Sequence, residues 1–224
     1  MLIFSHRGYH ASAAANTYDA FAQAVALGVN GIETDVRLSA DGQLILCHDR
    51  LTPDGCAIEN VTYSELSAHL RYEAPLLEQV LRHWPDVWWN LEIKIPAALE
   101  PIIALLRRLP RPRGYLLTSF WHPVVQQAAR CLAVDCGVLV AHRPFAPVSA
   151  PLGWWPEHSR VNTVVWDYEV LDPELLAETA TRGIRNFVYG PETAQEHRRC
   201  IDLKLDGVIT DHPEFLLQRS DSST

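Results

Sequence analysis

Glu33 and Asp35 stand two residues apart in the apolar stretch Gly31–Leu38, GIETDVRL. Side chains of a strand alternate between its faces, so both carboxylates point one way while Ile32, Thr34 and Val36 point the other. Two like charges side by side in an apolar strand are costly unless something neutralises them. A divalent cation is the simplest such partner. Glu92 and Lys94 repeat the spacing in the apolar run that starts at Val87. Three carboxylates (Glu33, Asp35, Glu92) without a cysteine make an all-oxygen set, which suits a hard cation, Mg²⁺ or Ca²⁺, better than Zn²⁺. Arg7 and Lys94 add fixed positive charge, and a cation with Arg and Lys is what a phosphate or phosphodiester requires in a chain of net charge −8. His6 and His48 complete the set as a general base and a general acid. The competing reading is structural: Glu33 and Asp35 pairing with Arg7 or Arg37, and Arg7 pairing with Asp211.

These residues lie far apart in sequence, so the fold must bring them together. Asp41-Gly42 marks a hairpin turn that carries the chain back through Leu44–Leu46 to His48. Apolar strand patterns at 2–5, 31–38, 87–93, 114–119, 134–140, 162–166, 185–189 and 206–210 alternate with helical periodicity at 17–27, 62–70, 75–83, 97–109, 122–132, 173–182, 193–204 and 213–218. Asn16 is placed as N-cap of the first helix and Gly28 as its stop. Thr62-x-x-Glu65 begins another helix as a capping box. Eight strands mostly separated by helices indicate an all-parallel sheet, and in about this length a compact (β/α)₈ TIM barrel with a short β-hairpin after its second strand. In such a barrel the C-terminal strand ends share one face. His6, Arg7, Glu33, Asp35, Glu92, Lys94, Ser119, Asp167 and Asp211 all sit near those ends.

The chain of 224 residues is 48% apolar and 21% charged, the balance of a soluble globular domain. One domain spans residues 1–224, with 219–224 expected as a disordered tail. The acidic charge and the lack of a basic stripe exclude nucleic-acid wrapping. No run long enough for a transmembrane helix and no signal-peptide pattern occur. Five cysteines with no C-x-x-C read as free thiols in a reducing compartment, and so as a cytoplasmic protein.

Several motifs in order resemble those of the glycerophosphodiester phosphodiesterase family. They are His6-Arg7-Gly8, Asn16-Thr17, Glu33-Thr34-Asp35-Val36, Asp41-Gly42, His48-Asp49, Leu91-Glu92-Ile93-Lys94, Leu117-Thr118-Ser119-Phe120 and Asp206-Gly207-Val208-Ile209-Thr210-Asp211. They run from residue 2 to about 216. The resemblance implies the same barrel, Glu33, Asp35 and Glu92 as ligands of one divalent cation, His6 and His48 as the acid–base pair, and Arg7 and Lys94 as phosphate contacts. It implies a small-molecule glycerophosphodiester substrate, cleaved to glycerol 3-phosphate and an alcohol. Two departures stand out. Ala14-Ala15-Asn16-Thr17 replaces the family's Pro-Glu-Asn-Thr, and Val188-Tyr189-Gly190 replaces its Trp-Thr-Val-Asn, which reshapes one wall of the pocket.

Ser119 reads either as a pocket residue or as a cap of the following helix, and Asp211 as a group that holds the last turn or orients a basic residue. Trp121, Trp154, Trp155, Trp166 and Tyr189 together would form an aromatic wall for an alcohol head group such as a choline-like cation. A lysophospholipid is the alternative substrate, its acyl chain lying along the Pro- and Trp-rich segment 141–160. A barrel that binds a phosphorylated ligand without turnover is the reading from another class. The remaining histidines, His10 among them, read as surface or packing residues.

Overall fold

The computed structural model describes residues 1–70, 72–109, 114–143 and 160–217. The expected tail at 219–224 and most of the 141–160 segment, with Trp154 and Trp155, lie outside the described residues. The described residues form nine strands: β1 (Leu2–His6), β2 (Gly31–Leu38), β3 (Leu44–Leu46), β4 (Trp88–Ile93), β5 (Tyr115–Ser119), β6 (Asp135–Val140), β7 (Val161–Asp167), β8 (Arg185–Tyr189) and β9 (Gly207–Thr210). Eight run parallel in the order β1-β9-β8-β7-β6-β5-β4-β2, and pairing of β1 with β2 closes the ring. The architecture is the expected (β/α)₈ barrel. The ninth strand, β3, lies antiparallel on the outer end of β2, with Val36 opposite Leu46 and Leu38 opposite Leu44. Gly42, at φ 79°, sits in the turn between them, and Ser39 and Asp41 close it with a 2.6 Å hydrogen bond.

The helices are α1 (Tyr18–Leu27), α2 (Tyr63–Leu70), α3 (Leu77–His83), α4 (Leu99–Arg108), α5 (His122–Cys131), α6 (Pro173–Thr181), α7 (Ala194–Asp202) and α8 (Glu214–Leu217). Expected and observed ends agree within two residues. One cap differs. Thr17, not Asn16, caps α1 and accepts from the Ala20 amide, because Asn16 adopts φ 60° and turns its side chain toward β2.

Alternation along the strands builds two apolar layers. Ile32, Val36, Leu91, Ile93, Val164, Trp166 and Val188 face outward and pack against Phe21, Leu77, Val80, Ile102 and Val125 of the helices. Phe4, Leu116, Leu139, Val165, Phe187 and Ile209 fill the interior. Phe4 meets Phe187 and Trp88 with ring centroids 5.8 and 5.4 Å apart. That packing depends on Gly31, where a Cβ would run into the Phe4 ring and lie 2.5 Å from the Trp88 carbonyl oxygen. Gly31→Ala is therefore expected to cost about 1–3 kcal/mol by overpacking, read as a lower urea midpoint at unchanged m-value. A third cluster (Ile45, Cys47, Ile58, Val61, Leu66, Leu70 and Ala74) sits beneath the excursion between β3 and α3. It gives the segment that carries His48 its own anchor.

Candidate active site

Chain reversal after β1 sets the first residues. Arg7 and Gly8 both adopt positive φ, at 57° and 79°. Only a residue without a Cβ fits the second position, since a Cβ there would lie 2.7 Å from the Ala20 backbone. The reversal aims the Arg7 amide at Glu33 Oε2, which accepts at 3.1 Å, and brings Arg7 Nε to 3.1 Å from Asp35 Oδ2. Buried Asn16 donates from Nδ2 to Asp35 Oδ2 at 2.8 Å and accepts from Thr34 Oγ1 at 2.7 Å. On β4, Lys94 Nζ lies 2.8 Å from Glu92 Oε1 and 3.3 Å from Asp35 Oδ1. Arg7 thus pairs with Asp35, not Asp211, and Arg37 donates instead to the His48 carbonyl at 2.9 Å.

Glu33, Asp35 and Glu92 are all buried, and each offers an oxygen within 4.8 Å of the other two. Glu33 Oε1 is buried without a hydrogen-bond donor. Burial, then the neighbouring Asp35 and Glu92, push the Glu33 carboxyl well above the ordinary range. Burial also raises Glu92, against the pull of Lys94. At Asp35 burial works upward too, but Lys94, Arg7 and the Asn16 amide outweigh it and hold the group low. Three carboxylates thus face two cationic side chains, and one of their buried oxygens, Glu33 Oε1, has no donor. An all-oxygen set with uncompensated negative charge fits a divalent cation of the Mg²⁺ or Ca²⁺ type.

The site opens into a cavity of about 210 Å³. His6, Arg7, Glu33, His48, Glu92 and Lys94 line its polar side, and Phe120, Leu139, Tyr189 and Ile209 its apolar side. Asn90 and Thr118, joined by a 2.8 Å hydrogen bond, also line it. Asp35 lies fully buried among these groups, held by Arg7, Lys94 and Asn16. His48 Nδ1 is 2.8 Å from Asp49 Oδ1. Tyr189 donates to Asp167 Oδ2 at 2.9 Å, and burial and this bond both push its phenol upward. Phe120 meets the Tyr189 ring edge-on, with centroids 6.2 Å apart.

Of the residues expected in an aromatic or polar pocket wall, Tyr189 is there and three are not. Ser119 is fully buried; its hydroxyl donates to the Ile93 carbonyl at 2.6 Å and accepts from the Trp121 amide. It ties β5 to β4, while its neighbour Thr118 faces the cavity. Trp166 is one residue out of phase with inward-facing Val165. It packs in the outer layer and donates from Nε1 to Asn186 at 2.9 Å. Trp121 is 54% exposed beyond the end of β5 and does not line the cavity. Trp166→Phe should therefore lower stability by about 1–3 kcal/mol through the lost hydrogen bond and the void left in the outer layer with kcat unchanged, measured by urea unfolding and initial rates.

Some site residues carried no sequence signal of their own. Phe120, Leu139 and Ile209 look like ordinary strand and loop apolars until the barrel closes. His10 and Asp211 meet across the barrel mouth: Asp211 Oδ1 lies 2.8 Å from His6 Nδ1 and 2.9 Å from His10 Nε2. Among the described residues no helix is long and apolar enough to cross a membrane.

Comparison with known proteins identifies the family and the fold. The family model described as the glycerophosphoryl diester phosphodiesterase family matches residues 6–107 and 116–215. A glycerophosphodiester phosphodiesterase of Caldanaerobacter subterraneus is 26% identical, over 96% of this chain and 96% of its own length. A human lysophospholipase D is 23% identical, over 95% of this chain and 83% of its own. The crystal structure of a glycerophosphodiester phosphodiesterase from Thermotoga maritima superposes with a TM-score of 0.84 at 25% identity, covering 97% of each chain.

Proposed function

The chain belongs to the glycerophosphoryl diester phosphodiesterase family and is a phosphoric diester hydrolase, and from that premise we propose that it cleaves glycerophosphodiesters to glycerol 3-phosphate and an alcohol, with Mg²⁺ or Ca²⁺ held by Glu33, Asp35 and Glu92. The observation that carries this reading is the convergence, in one cavity, of the carboxylate cluster, two cationic side chains and two imidazoles from β1, β2, β4 and the loop after β3.

A divalent cation held by Glu33, Asp35 and Glu92 would supply charge neutralisation and Lewis-acid polarisation to the phosphodiester. Arg7 and Lys94 border the same space and bring fixed positive charge to the phosphate as charge develops on it. They also hold the Asp35 carboxyl below its ordinary range against its burial, which favours the charged form that a cation ligand needs. Of the two imidazoles, one removes a proton from the attacking oxygen, of water or of a neighbouring glycerol hydroxyl. The other delivers a proton to the departing alkoxide. Phe120, Leu139 and Tyr189 exclude water from the apolar side and receive the carbon skeleton of the substrate. Five cysteines, all free, suit a reducing compartment such as the cytoplasm.

A second reading keeps the site and changes the substrate to a lysophospholipid. The apolar side of the cavity favours it, as does the similarity to a lysophospholipase D. Rates on glycerophosphocholine and on lysophosphatidylcholine at equal concentration separate the two. Faster release of glycerol 3-phosphate from the first supports the main reading. Faster release of choline from the second supports the other, and turnover of neither overturns both.

A further inference from the structure

The geometry points to Asp211 and His10 as positioning residues for His6: one carboxylate oxygen, shared by two imidazoles, holds His6 in its Nδ1–H tautomer with Nε2 turned to the cavity. This rests on the phosphodiesterase reading for its kinetic consequence, though not for its geometry. Ser5 of β1 and Thr210 of β9 are register partners, so the next residue of each strand, His6 and Asp211, emerges side by side at the barrel mouth. His10 returns to the same point from the loop that follows the Arg7-Gly8 reversal.

The donor and acceptor inventory decides the tautomer. An ionised carboxylate only accepts. Asp211 Oδ1 lies 2.8 Å from His6 Nδ1 and 2.9 Å from His10 Nε2, so both ring nitrogens must carry hydrogen. A neutral imidazole has one N–H, hence the lone pair of His6 sits on Nε2. That atom lies 3.8 Å from Glu33 Oε2, on the side of the carboxylate cluster. A His6 free to choose would spend part of its time with hydrogen on Nε2 and its lone pair turned away from the substrate. Burial works against the Asp211 charge, yet the bonds from His10 and His6 outweigh it and hold the carboxyl far below the usual range. The acceptor at this point is therefore a carboxylate at neutral pH.

His10 contributes the second tether. With a single partner the Asp211 side chain turns about its χ angles; a donor from the β1–α1 loop removes that freedom and fixes the oxygen that His6 meets. His48 is built differently. Its Nδ1 partner is the adjacent Asp49, whose side chain is 77% exposed against 46% for Asp211. The His6 arrangement joins residues 205 positions apart, so the closure of the barrel itself orients the imidazole. A merely structural tether between the loop and β9 would hold the same atoms together with no bearing on the ring's tautomer.

The test reads the His6 ring of ¹⁵N-labelled protein by long-range ¹H–¹⁵N correlation, without substrate, at alkaline pH. The wild type should show Nδ1–H. D211N should lose that preference, and its kcat on glycerophosphocholine should fall by about 10–100-fold with little change in KM, the loss typical of partners one step behind a reacting group. H10A should lose less, up to about tenfold, and H10Q, which keeps a donor, should recover most of it. An Nε2–H ring in the wild type overturns the proposal, and so does a D211N enzyme with reduced melting temperature but unchanged tautomer and kcat. If D211N does not fold, the wild-type spectrum and the H10A/H10Q pair still decide. A wild type inactive on every diester would overturn the functional reading and leave the tautomer result standing.

Discussion

Glu92→Gln should lower glycerol 3-phosphate release by at least about 10³-fold, the scale of a lost charge-stabilising group, while the metal-free protein stays within about 1 kcal/mol of the parent's stability. The two halves follow from one observation. Burial raises the Glu92 carboxyl against the pull of Lys94, and a carboxyl whose pKa is raised by folding costs stability wherever it is ionised. Glutamine removes that cost and one ligand oxygen together. Lys94 keeps its second partner, Asp35, 3.3 Å away, so no buried charge is orphaned. A structural ion-pair network behaves in the opposite way, since breaking one member destabilises by several kcal/mol. Activity assays beside urea denaturation tell them apart. Parallel loss of both would make Glu92 a member of a structural ion-pair network instead.

His6→Ala and His48→Ala should each cost about 10²–10⁴-fold in kcat, the contribution of one general acid or base. The residual rate is what the cation and the Arg7–Lys94 pair sustain. The two variants should differ in a second respect. A diester with a p-nitrophenolate leaving group needs no proton on departure. The variant lacking the general acid should recover most of its rate on that substrate, and the variant lacking the base should not. Equal impairment of both variants on both substrates would contradict a division of labour between the imidazoles.

The barrel was legible because its strands are short, apolar and bounded by helical periodicity. The carboxylate cluster was legible for a narrower reason: paired acids at two-residue spacing reveal the inward parity of β2 and β4 directly. No such pair exists on β5, whose residues are all uncharged, and on β7 a single acid, Asp167, stands at the strand end without a second two residues away. Sequence accordingly leaves Ser119 open between pocket and helix cap and places Trp166 in the pocket wall, whereas Thr118 and Val165 point inward. The parity follows from the apolar interior residues Leu116 and Val165, which become recognisable only with the barrel closed. Asn16 resembled an N-cap because its left-handed backbone is invisible in sequence; it contacts Asp35 instead and Thr17 takes the cap. His10 carries no local signal because its partner Asp211 is 201 residues away, and no short-range pattern connects them. The missing Glu at position 15 leaves the cluster intact, since Asn16 supplies the neighbouring hydrogen bond to Asp35.

The central claim is that Glu33, Asp35 and Glu92 hold a divalent cation on which phosphodiester cleavage depends. The most direct measurement is release of glycerol 3-phosphate from glycerophosphocholine by chelator-treated enzyme, followed by addition of Mg²⁺ or Ca²⁺. Loss of turnover in chelator and its return with one of the two cations is the expected result. Undiminished turnover after the cation has been stripped would contradict the account.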